Sequence, residues 1–133
     1  MRYVTLLGRF LYSLMFLMTP INHFMPQTIA YAAQSGVPMP GLLVPLSGII
    51  AFVGGLSVLL GYEARLGAWL LVVFLIPVTF MMHAFWTVQD PMMRQFQMGM
   101  FLKNIAMLGA ALIITQLGSG PLSLDSRRAA SAM

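Results

Sequence analysis

No cysteine occurs in this chain, which excludes disulfides, thiolate metal sites and any thiol relay to a quinone. Acids are nearly as scarce: Glu63, Asp90 and Asp125 are the only three. So few carboxylates leave no buried pair for general acid–base work and no oxygen-rich cage for a hard cation. Charged residues of both signs make up only 8% of the 133 residues, against 59% hydrophobic residues and a mean hydropathy of +0.87. One soluble core cannot hide that much apolar surface, so the composition places the chain in a bilayer. The seven Lys/Arg residues are scattered. They form no patch for nucleic acid and read as topogenic.

Four apolar runs are long enough to span. They predict transmembrane helices near 4–24, 42–61, 66–86 and 97–117, and hence an all-α membrane fold, an up-down bundle of four helices. Between Pro26 and Pro45 the chain is polar and proline-rich, which predicts a long outer loop between the first and second spans, with room for a short interfacial helix over 27–35. Tyr62-Glu63-Ala64-Arg65 is a tight turn, Gln89 to Gln97 a polar loop, and Gly118-Ser-Gly-Pro121 the stop of the fourth span. Residues 1–125 then form one domain, and 126–133 a flexible cytoplasmic tail. In the second span Ser47, Ala51 and Gly55 lie at i, i+4 and i+8, a face smooth enough for close helix contact.

Four spans put both termini on one side. Arg2, Arg9, Arg65, Arg127 and Arg128 share it, leaving Arg94 and Lys103 toward the other. Five against two makes the termini cytoplasmic and the protein a multi-pass one of the bacterial inner membrane.

This topology gathers polar groups in the outer half. The first span ends there with Asn22 and His23, the third with His83 and Trp86, and the fourth begins there with Lys103 and Asn104. Thr79, His83 and Trp86 would share a helical face. A charge at mid-bilayer costs roughly 2.5–3.5 kcal/mol, so Lys103 needs a partner, a wet pocket or a path to the interface. No acid is expected at its depth, which leaves neutral acceptors and makes the cluster a candidate pocket, with Trp86 as a ring to stack on. The simpler readings stand beside it: a snorkelling lysine, histidines bonded to loop carbonyls and an interfacial tryptophan. Thirteen methionines, several near the two histidines, raise Cu(I), but their spacing repeats no ligand motif, and no metal site is assigned.

Gly8-Arg9, the stretch Phe16 to Phe24, Gly36-Val-Pro38, Gly54-Gly55, Leu60-Gly61, Arg65, His83, Leu102-Lys103-Asn104, Gly109 and the ending Gly118-Ser-Gly-Pro-Leu-Ser123-Leu-Asp125 together resemble the DoxX family of small bacterial membrane proteins. The resemblance implies a four-helix inner-membrane protein and, from some relatives, a subunit or companion of a quinone-linked redox system. Two departures stand out: Pro20-Ile-Asn-His23 where the family often has a lysine, and Ala51 where it often has a glutamate.

These observations lead to a redox accessory, leaning away from an enzyme, whose ligand-binding residues are Lys103, Asn104, His83, Trp86, Asn22 and His23 and whose ligand is a quinone. The alternative is a non-enzymatic structural subunit of a larger membrane complex, or a homo-oligomer. A transporter is disfavoured because no inverted repeat or paired broken helix is visible.

Overall fold

Each long apolar run becomes a helix whose ends are set by identifiable residues. The computed structural model describes residues Met1–Met133. Its elements are α1 (Arg2–His23), α2 (Pro26–Gln34), α3 (Pro40–Leu60), α4 (Ala64–Met82), a 3-10 turn (Phe85–Thr87), α5 (Pro91–Leu117) and α6 (Leu124–Ser131). The four long helices α1, α3, α4 (extended through the 3-10 turn) and α5 are each long and apolar enough to cross a membrane. Their outward faces agree, since Leu11, Val53, Val73 and Ile113 are all about half exposed. In water such surfaces would be a liability, whereas lipid tails solvate them.

Four differences from the sequence reading have local causes. The long outer loop is replaced largely by α2, which stands where a short helix had room over 27–35, because Pro26 starts it at its first position and no breaker follows before Ser35. The fourth span begins at Pro91, not near Gln97: Asp90 Oδ2 accepts from Met93 N at 3.2 Å, and proline needs no donor at N1. The third span keeps its α-helical form only to Met82, whose carbonyl accepts from Tyr31 Oη at 3.0 Å, and finishes in the 3-10 turn. Where a tail was expected over 126–133, α6 starts from a capping box between Ser123 and Ser126.

In space the long helices run α1, α3, α4, α5, each packing along the next. Small residues set the spacing of the first two pairs. A Cβ on Gly48 would stand 2.7 Å from His23 Cβ, one on Gly55 2.8 Å from Phe16 Cβ, and one on Gly54 2.8 Å from Leu71 Cδ2. The smooth side of α3 is therefore used inside the bundle. Ala51 is fully buried in the core with Phe16, Leu71 and Leu75. Ala51→Leu is expected to overpack this core by about 1–3 kcal/mol, read as a lower Tm in detergent. An unchanged Tm would mean that the helices separate freely here.

A clasp closes the end where the termini meet. Gly61 (φ 65°) ends α3 with a Schellman pair, Tyr62 N donating to Ser57 O and Gly61 N to Val58 O. Glu63 then takes a left-handed φ of 50°, a strained choice for a residue with a side chain. Asp125 holds it there: its carboxylate accepts from Glu63 N at 2.8 Å and Ala64 N at 3.0 Å, and its own N–H donates to Gly61 O at 2.7 Å. An aspartate 61 residues downstream thus caps α4. Arg9, only 6% exposed, donates to Ser119 O at 3.2 Å and Leu122 O at 2.6 Å, tying the Gly118–Ser123 segment to α1. On the surface, Arg128 pairs with Glu63 at 2.8 Å. That carboxylate raises the guanidinium above its ordinary value.

Candidate functional site

At the opposite end, α1 and α5 do not pack on one another as the other neighbouring pairs do. Tyr12 Oη bridges them, donating to Met107 O at 2.8 Å. Beyond that bridge lies a cavity of about 280 Å³ among α1, α4 and α5. Five of the six residues expected to form a site line it: Asn22, His23, His83, Lys103 and Asn104. Its back wall is apolar, made by Phe16, Phe74, Leu75 and Val78.

Each polar side chain is positioned by a local break or a helix face. Pro20 removes a rung from the ladder of α1, and Thr19 Oγ1 donates to Met15 O at 3.0 Å. The His23 ring lies 3.0 Å from Thr19 O through Nδ1. A carbonyl only accepts, so Nδ1 carries a proton, and a neutral ring then keeps Nε2 as an acceptor. His83 is just past the last turn of α4 (φ −122°, ψ 41°), with Nδ1 2.8 Å from Gln97 Oε1. Gln97 Nε2 reaches Tyr31 Oη at 3.4 Å, and Tyr31 donates to Met82 O. This chain of bonds braces His83 from three elements.

Lys103 and Asn104 enter from α5. The lysine has no carboxylate partner, the one ion pair being Arg128–Glu63. Its hydrogen-bond contact is Met100 Sδ at 3.5 Å, a weak acceptor. Asn104 is 3% exposed, and its buried Oδ1 has no partner. A buried polar atom left unpaired costs about 1–3 kcal/mol, so a ligand atom or water that meets it is favoured.

Trp86 is not at the cavity. Because α4 stops at Met82, residues 79, 83 and 86 do not share one helical face, and the indole packs edge-on against Phe85 and Phe101 at 5.3 and 5.7 Å. Thr79 is fully buried with an unpaired hydroxyl, yet it does not line the cavity. The sequence reading missed Gln97 and Tyr31. Gln97 carried a signal, standing at i−7 from Asn104 on the same side of α5, but its polar neighbours read as loop.

Chemically the cavity offers an ammonium, two amides, two imidazoles and the Thr19 hydroxyl, which is engaged on Met15 O, with no carboxylate and no thiol. Such a set can hold a polar head group through several hydrogen bonds. No group of three or more His, Cys, Asp or Glu residues that could hold a metal ion is present.

The DoxX family model matches residues 4–84, a region that holds α1 to α4 with Asn22, His23 and His83 and stops before Lys103 and Asn104. The inner membrane protein YphA of Escherichia coli (strain K12) is 27% identical over 100 residues, covering 75% of this chain and 71% of the relative. The inner membrane protein YqjF of the same organism is 30% identical over 102 residues, 74% of this chain and 69% of the relative. No solved structure matches the chain.

Proposed function

The chain belongs to the DoxX family, and on that premise we propose that it is an inner-membrane accessory of a quinone-linked redox system, holding a quinone-like head group in the cavity among α1, α4 and α5. One observation carries the reading: an ammonium without a counter-charge and a buried amide oxygen without a partner line one cavity with two histidines. Lys103 would donate to a ring carbonyl. Asn104, Asn22 and the histidines would complete the hydrogen bonding, and the apolar wall at Phe74 would take the ring face in place of Trp86. None of these groups carries electrons, so a redox partner would supply that chemistry.

Two experiments test the proposal. Trp69→Phe leaves Trp86, three residues beyond the cavity-lining His83, as the one indole to report quenching by a bound quinone. Titration of this variant in nanodiscs with a short-chain benzoquinone should give saturable quenching. Linear, unsaturable quenching would overturn the head-group reading. The orientation is tested by cysteine labelling, because the chain has no cysteine of its own. Ser35→Cys should react with a membrane-impermeant maleimide from the periplasmic side and Ala132→Cys only after lysis. The reverse pattern would invert the topology drawn from the five-to-two basic bias.

The structural-subunit alternative rested on the small-residue face of α3. That face is occupied by α1 and α4, so a docked partner would have to use another surface.

A further inference from the structure

The geometry points to a ligand that is itself a membrane amphiphile, lodged with its polar head in the cavity and its apolar chain lying in the open seam between α1 and α5. This rests on the head-group reading above and adds the chain, its path and the side from which the site is filled.

Three neighbouring helix pairs are packed along their lengths, and α1 with α5 is the pair that is not. The two are joined by the Tyr12–Met107 hydrogen bond. The cavity starts about 5 Å further along α1, taking 1.5 Å per residue from Tyr12 to Met15. At that level the α1 side is flanked by Met15 and Met18, 41% and 54% exposed. Both belong to a face that meets lipid, and methionine is unbranched and adaptable, suited to a flexible chain. Asn104 is buried and Lys103 half-buried in the seam, while Met15 and Met18 beside them are exposed.

A second hollow of about 340 Å³, between α3 and α4, is mostly apolar and is the competing path for a chain. It shares His23, Phe74 and Val78 with the polar cavity. Those side chains separate the two spaces, with the His23 and Phe74 rings 5.8 Å apart. His23 is also pinned, by its bond to Thr19 O and by its Cβ over Gly48. A chain attached to a head at Lys103 would have to displace both rings to pass that way. Through the seam it displaces nothing but lipid.

The probe is a benzoquinone bearing a ten-carbon chain with a diazirine at mid-chain, photolysed with the protein in nanodiscs and mapped by peptide mass spectrometry. Labelling is expected to concentrate on Met15, Met18 and the facing turn of α5 near Met107. It should fall about tenfold in Lys103→Met, which removes the head's anchor. Lys103-dependent labelling at Val37, Leu46 or Val73 would overturn the seam path and leave the head site standing. Seam labelling unchanged in Lys103→Met would retain the path and overturn the head site. Labelling spread evenly over all lipid-facing helices would overturn both.

Discussion

Arg9→Met is expected to unfasten the C-terminal segment and to cost about 3 kcal/mol of stability, because it leaves one buried and one partly buried carbonyl without their charged donor. Those acceptors are Ser119 O and Leu122 O, both more than a hundred residues away in sequence. Methionine matches the length of the arginine stem, so the loss isolates the hydrogen bonds from packing. The damage should spread, since Leu122 leads directly into Ser123 and Asp125, and Asp125 supplies the cap of α4. Amide exchange is the measurement. The protons of Glu63, Ala64 and Asp125 should lose protection in the variant, while those in the middle of α3 stay slow. Equal protection at all sites and an unchanged Tm would mean that α6 and the α3–α4 turn hold the segment unaided. Asp125→Ala is the companion variant, expected to cost about 1–2 kcal/mol as a lost cap at a strained N-terminus.

Lys103→Met should act in the opposite sense on stability and on binding. It removes an ammonium that has no carboxylate partner and meets only Met100 Sδ. An apolar side chain of similar length is better suited to that depth, so Tm should hold or rise. Binding should suffer: a hydrogen bond to a charged donor is worth about 1.5–3 kcal/mol, which corresponds to a roughly 10- to 150-fold weaker Kd. Titration of a benzoquinone against wild type and variant, with Tm recorded on the same samples, separates the two effects. A variant that binds as tightly as wild type would remove Lys103 from the site. A variant that loses stability along with binding would make the lysine a structural residue. Asn104→Leu should weaken binding by a smaller factor, since a neutral amide contributes about 0.5–1.5 kcal/mol.

The candidate site was legible to the degree that it depended on depth. Asn22, His23, His83, Lys103 and Asn104 end up at one level because each sits near the same end of its span, and that follows from counting residues along apolar runs. Trp86 fails the same count. The helical phase that would bring it beside His83 is lost when α4 stops at Met82, and the residue that caps that stop, Tyr31, belongs to α2. Gln97 was passed over for a related reason: read as the junction of a polar loop and the fourth span, it gave no sign of the two helical turns before it, although Asp90-Pro91 is a helix start that holds in any surroundings.

Hydropathy, the scarcity of acids and the absence of cysteine determined by themselves that this protein is a four-helix bundle in lipid and that its lysine has no carboxylate at its own depth. Those properties are sums over the chain or follow from its local periodicity, and no contact between distant residues alters them. Tertiary structure decided the rest. Arg9 reads in sequence as one more topogenic charge, and becomes a buried fastener only because the Gly118–Ser123 carbonyls return to it. The small residues of α3 read as a face for close helix contact, and tertiary structure decided which helices use it: α1 lies over Gly48 and Gly55, and α4 over Gly54. The gap between α1 and α5 has no sequence signature at all. It exists because those two helices are held by their packing on α3 and α4, and what lies between them is whatever that packing leaves uncovered.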